Sequence, residues 1–212
     1  KTGGGDYQDA NGQGQFYYQP PAGALALCTN NLPLPAITPH YDEKPGDYFK
    51  AYAYSGLENV DREHNVGFEP DLIWVKNRTS AQEYNIIDSV RGIDAGPLFS
   101  NDSSTGDPNV RIRTHSKGIT TFGMYSYTNK NNNDFIAWCW KAGGSAGKYN
   151  VDGKAYASAA EAGLNAGSIT PTGASVNTKA GFSIVKYPGG SDVNTIPHGL
   201  NSAPEMIIIK NL

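Results

Sequence analysis

Charge of either sign is scarce in this chain. Its 17 basic and 20 acidic side chains make up 17% of 212 residues and leave a net charge of −3, where about 25% charged residues is usual. No Lys/Arg cluster offers a footprint for phosphates, which excludes a nucleic-acid binder. A coiled coil is excluded for want of charged heptads. No apolar run approaches the ~18 residues a membrane-spanning helix needs. Only two thiols occur, Cys28 and Cys139. Each lies in an apolar run, where a free Cys packs as a small hydrophobe, so no disulfide is expected.

What is abundant points the other way. The 25 Gly and 13 Pro are well above the usual share. Asn, Ser and Thr together outnumber all charged side chains, so the surface is expected to be neutral and hydrogen-bonding. Thirteen Tyr, seven Phe and three Trp are ample material for a core and argue against disorder. Short β-branched and aromatic runs recur between Gly, Asn, Asp and Ser: 48–54, 72–76, 85–90, 110–113, 120–122 and 135–140. That spacing predicts an all-β chain of antiparallel β-sandwich repeats. Phe16-Tyr17-Tyr18 predicts a further short strand, ended by Pro20-Pro21. Within 135–140, the shared face of Ile136, Trp138 and Trp140 is expected to be the buried one. One segment departs from the pattern. Ser158 with Glu161 three residues on is a capping box, and with the following alanines it predicts one short surface helix near 158–164.

The chain also repeats itself. At a lag of 134, His64 aligns with His198, Pro70 with Pro204, Lys76 with Lys210 and Asn77 with Asn211. At a lag of 133, Phe49 aligns with Phe182, Tyr54 with Tyr187 and Gly56 with Gly189. The predicted organisation is therefore the end of a preceding β domain plus a Pro-rich linker (1–46) and a first β repeat unit (47–143). A Gly/Ser/Ala-rich insertion (144–180) and a truncated second repeat (181–212) complete it. The chain is expected to be part of a longer array. Met206–Ile209 is an apolar strand whose backbone groups need partners. It is expected to pair with Phe182–Tyr187 or with a neighbouring chain, and a strand solvated on both edges and both faces would contradict the repeat.

Gly67-Phe68-Glu69-Pro70-Asp71-Leu72-Ile73-Trp74-Val75-Lys76-Asn77-Arg78 resembles a spaced signature, followed by Asp88-Ser89-Val90-Arg91-Gly92 and by Phe135 through Gly143. Together these motifs resemble an uncharacterised repeat domain of tail-fibre-like structural proteins in marine and cyanobacterial phages. Upstream, Gly14 through Tyr18 and Ala26 through Pro33 are similar to the final strand of a SPRY-like, concanavalin-type sandwich. The resemblance implies a virion component, extracellular and trimeric, with other virion subunits and a host-surface glycan as partners. It carries over no catalytic residues. A glycan depolymerase and a bacterial cell-surface adhesin or filament subunit are the alternatives.

The four His, at 40, 64, 115 and 198, lack metal-ligand spacing, and no metal or other cofactor is expected. His64 and His198 are read as pins for the loop before each proline. Acid pairs such as Asp42/Glu43 and Asp61/Glu63 are read as solvated loop acids, and no catalytic residue is assigned. Asp88 and Arg91 are expected to fix a turn before Gly92. Asn101–Asp107 has a calcium-loop composition without its ligand order and is read as a turn. Asn129–Asp134 is read as a hairpin loop whose Asn residues tolerate left-handed backbone. The glycan-contact candidates are Tyr52, Tyr54, Tyr125 and Tyr127, because they alternate with smaller residues beside Asn- and Gly-rich loops.

Overall fold

Runs rich in Ile, Val, Phe and Trp, whose branched and ring side chains suit a pleated surface, form most of the strands. The computed structural model describes residues 4–32, 43–103, 112–123 and 126–212. They fall into two compact units, 1–38 and 39–212. The second unit is all-β. Strands β1 (Phe49–Ser55), β3 (Leu72–Asn77), β4 (Asn85–Asp88), β5 (Leu98–Phe99) and β8 (Asp134–Trp140) make a five-stranded sheet. Its order is β1-β8-β3-β4-β5, antiparallel throughout. Strands β2 (Arg62–Asn65), β6 (Ile112–His115) and β7 (Gly118–Thr121) form a three-stranded sheet in the order β2-β7-β6.

These two sheets share one core, in the manner of a sandwich. Tyr54, Ile73, Val75, Ile87, Phe135, Ala137 and Cys139 from the larger sheet meet Ile112 and Ile119 from the smaller one. Phe135 is fully buried and stacks on Tyr54 at 5.3 Å. Its truncation to Ala would cost about 3–5 kcal/mol, the range for a core aromatic. Burial pushes the Cys139 thiol up to about 12, which leaves it protonated and unreactive. Both thiols are free.

The alternation of β8 has the opposite face inward from the one expected. Phe135, Ala137 and Cys139 are buried, whereas Ile136, Trp138 and Trp140 are half-exposed on the outer face. Period-2 alternation defines two faces without saying which is covered. Here Phe135 and Tyr54 already fill the space between the sheets, and Ala137 and Cys139 let the smaller sheet approach. The bulkier indoles stand outside, Trp74 against Trp138 at 5.7 Å and Trp140 against Phe182 at 5.9 Å.

Residues 144–180, expected as an insertion carrying a helix, instead supply most of a third sheet. Strands β9 (Tyr149–Val151), β10 (Lys154–Tyr156) and β11 (Gly173–Asn177) join β12 (Phe182–Lys186) in the order β10-β9-β11-β12. The β9–β11 pair is parallel. Tyr149, Ala159, Leu164, Ala174 and Val176 form its separate core. The helix expected at 158–164 is a single turn. Its capping bond is present, Glu161 N–H donating to Ser158 Oγ. Gly163, at φ +70°, ends it after one turn. The α-helix found among the described residues is α1, Ser126–Asn129.

Met206–Ile209 does not pair with Phe182–Tyr187. Its four side chains are 66–79% exposed and it joins no sheet. Sheet order supplies the reason. In the first copy β1 and β3 are not neighbours, because β8 lies between them. Every ladder partner of β1, β2 and β3 in that copy follows residue 84. The expected pairing is therefore not found, and the exposure of Met206–Ile209 counts against the repeat reading of 181–212.

In the first unit, Phe16 makes only an isolated bridge with Tyr7 and no strand. A carboxylate organises the segment instead. Asp9 Oδ1 accepts the backbone N–H groups of Asn11 and Gln13, and Oδ2 those of Ala26 and the Asn31 amide. The Ala26 bond leads in holding its carboxyl down to about 2. The Pro33–Pro35 linker, His40 and Val110–Arg111 lie outside the described residues.

Candidate functional site

The aromatics singled out from sequence do not converge. Tyr54 is buried, donating its hydroxyl to the Thr128 carbonyl at 2.7 Å, and desolvation raises its pKa. It cannot touch a glycan. Tyr52 lies half-buried on the same inward face, 5.5 Å from the His64 ring. Tyr127 sits on α1 beside Phe99, and Tyr125 lies outside the described residues.

His64 is a core residue. Its Nε2 is 3.0 Å from Thr121 Oγ1, and Tyr54 covers the ring at 4.3 Å. Desolvation, with Arg62 and His115 adding repulsion, lowers its pKa to about 4. His198 accepts the Leu200 N–H on Nδ1 at 3.0 Å. His198 thus pins local backbone as expected, whereas His64 lies in β2 and holds a core side chain, not the loop before Pro70. The Asp88–Arg91 turn also forms as read, with Arg91 Nε 2.6 Å from Asp88 Oδ2. Asn132 takes the left-handed backbone expected of its loop, at φ +56°. Among the described residues, no group of three or more His, Cys, Asp or Glu could hold a metal ion. No helix among them is long and apolar enough to cross a membrane.

The second unit has a cleft of about 790 Å³ where strand ends meet, within the ~300–1,000 Å³ range of small-ligand sites. Six separate segments line it, among them Tyr48 before β1, Glu69 before β3, Lys141 after β8, Asp152 in the β9–β10 turn, and Thr178 with Lys179 in the β11–β12 turn. Asp152 holds Thr178 through both backbone and hydroxyl at 2.7 Å. Lys179 pairs with Glu43, and that bond raises its pKa. Lys141 Nζ stands 5.9 Å from the centre of the Tyr48 ring. Desolvation, followed by the Glu43 charge, raises the Tyr48 pKa and keeps its hydroxyl protonated.

Asp71 braces the cleft floor. Its Oδ2 accepts the N–H groups of Ala142 and Gly144, and its Oδ1 the hydroxyl of Ser89. Ser175 Oγ, on β11, bonds the Gly143 N–H and the Gly144 carbonyl. Desolvation raises the Asp71 pKa against these bonds. Both carboxylate oxygens are already engaged, so Asp71 is a brace for the walls. Gly143 is required here, since a Cβ at that position would fall 2.4 Å from the Val176 carbonyl oxygen.

The cleft therefore presents the Tyr48 ring, the Lys141 and Lys179 ammonium groups and the Glu69 carboxylate, beside the mutually bonded Asp152 and Thr178. Such a set can replace water around a polyhydroxylated ligand. No spacing in the sequence marks it, because its members come from six distant segments. The one legible hint is Lys141-Ala142-Gly143-Gly144, a glycine-containing run leaving a Trp-rich strand.

Residues 44–212 match the family model described as Domain of unknown function (DUF7483). No curated protein and no solved structure matches the chain.

Proposed function

The chain belongs over most of its length to the DUF7483 family of unknown function, and from that footing we propose that it is a structural and adhesive segment of a phage tail fibre or related virion appendage. It contacts host-surface glycans and does not cleave them. The observation that carries this reading is the polar cleft, with the Tyr48 ring beside Lys141, Asp152 and Lys179. A low-charge surface rich in Asn, Ser and Thr supports it, since amide and hydroxyl groups exchange readily with sugar hydroxyls. In this setting the chain works outside the cell on the virion, as a trimer among other virion subunits.

The test is retention of the chain on host-envelope polysaccharide, with reducing ends assayed in parallel. Binding that drops at least tenfold in Tyr48→Ala and Lys141→Ala, at unchanged melting temperature and with no new reducing ends, supports the proposal. A monomer that binds neither envelope glycans nor any virion partner would sink it. New reducing ends abolished by an acid substitution would make it a depolymerase.

A further inference from the structure

The charged groups lining the cleft differ in how far their hydrogen-bonding capacity is already engaged. Asp152 accepts the Thr178 N–H on one carboxylate oxygen and the Thr178 hydroxyl on the other, both at 2.7 Å. Asp71 is filled by Ala142, Gly144 and Ser89, and Lys179 is paired with Glu43. Two lining groups remain open. Lys141 is exposed, and its ammonium group makes no hydrogen bond or ion pair among the described residues. Glu69 is exposed too, and accepts the Thr114 hydroxyl on Oε1 alone, which leaves Oε2 open. Both residues stand at one end of the β3–β8 ladder, whose last pair is Leu72 with Trp140. Lys141 follows Trp140, and Glu69 precedes Leu72 by three residues.

The open pair is one donor and one acceptor. An ammonium group only donates and an ionised carboxylate only accepts, whereas a sugar hydroxyl does both. Two neighbouring hydroxyls on one sugar ring therefore suit Lys141 and Glu69 together, through charge-assisted bonds. A carboxylate, sulfate or phosphate on the ligand would suit Lys141 alone. It would also enter a field with more acids than bases. Glu69, Asp71 and Asp152 line the cleft against Lys141 and Lys179, and Glu43 offsets the second lysine. Such a lining disfavours anions.

We infer that the cleft selects uncharged glycans bearing vicinal hydroxyls, with Lys141 donating to one hydroxyl and Glu69 accepting from its neighbour. Acidic glycans are turned away. The inference rests on the glycan reading of this cleft, and adds to it the ligand class and the two side chains that choose it.

The experiment separates host-envelope polysaccharide by anion exchange into neutral and acidic fractions and measures retention of the full chain on each. Part of the neutral fraction is first oxidised with periodate, which cleaves the bond between carbons bearing vicinal hydroxyls. It is then reduced with borohydride, so that no aldehyde meets a lysine. The expected result is retention on the neutral fraction that is lost after oxidation, with about tenfold weaker retention on the acidic one. Glu69→Lys, at an exposed position, should keep the melting temperature, weaken neutral retention about tenfold and raise acidic retention. Lys141→Met should weaken neutral retention with no acidic gain. Acidic retention equal to or above neutral, or neutral retention that survives oxidation, overturns the inference and leaves the glycan reading in place. Unchanged neutral retention in either variant, at an unchanged melting temperature, overturns it as well. Retention on neither fraction removes the glycan reading itself, and this inference with it.

Discussion

Asp71 Oδ2 accepts the Ala142 backbone N–H at 2.7 Å, tying the residue before β3 to the segment that leaves β8. The same carboxylate receives Gly144 and Ser89. One acid thus holds the turn where the five-stranded sheet meets the third sheet. Asp71→Ala leaves the buried Ala142 N–H and the half-buried Gly144 N–H without an acceptor and should lower unfolding stability by about 3 kcal/mol. Asp71→Asn, which keeps one carbonyl oxygen, should cost less. Urea denaturation checks both, and a loss below 1 kcal/mol in the alanine variant would remove the brace.

His64 sets a pH dependence. Its folded pKa, about 4, lies below the ordinary value of 6.5, so the unfolded chain binds the extra proton between them. Stability is therefore complete above pH 6.5 and declines as pH falls towards 4, by about 3 kcal/mol from this group. Asp71 acts in the opposite sense, because its raised pKa means the folded form holds its proton more tightly. Denaturation midpoints at steps from pH 7 to 4 should fall in the native chain. They should fall less in His64→Gln, and an equal decline in both would assign the effect elsewhere.

Tyr54→Phe separates packing from recognition. It deletes a buried hydroxyl bonded to the Thr128 carbonyl and keeps the ring on Phe135. The variant should lose about 1–2 kcal/mol of stability with no change in glycan retention. Weakened retention at unchanged stability would return Tyr54 to the binding surface.

The first unit should respond to acid separately. Asp9 is held at about 2, chiefly by the Ala26 N–H, so its contribution is present above pH 3.8 and is lost as pH falls through 2. Amide exchange at Asn11, Gln13 and Ala26 should accelerate over that window, and in Asp9→Asn it should be fast already at pH 6. Slow exchange at those amides in the variant would show that other contacts hold the loop.

How far the molecule was legible depended on the range of the signal. Strands β1, β3, β4 and β8 follow from local β-branched and aromatic runs, and the Asp88–Arg91 turn from two residues three apart. Alternation in β8 gave two faces, but the inward one is chosen by Tyr54 and the smaller sheet, both distant in sequence. The capping box of Ser158 and Glu161 formed, yet Gly163 and packing of Ala159 and Leu164 on the third sheet stopped it at one turn. The cleft was invisible for a related reason. Tyr48, Lys141, Asp152 and Lys179 are loop residues, and only the folded sheets bring them to one place.

The central claim is that this cleft is where the chain meets host glycans. Its most direct test is an NMR titration of the 212-residue chain with oligosaccharides released from the host envelope. The account predicts saturable shifts centred on Tyr48, Lys141, Asp152 and Lys179, absent in Tyr48→Ala. Shifts centred on the Trp74–Trp138 face, or none at millimolar sugar, would contradict it.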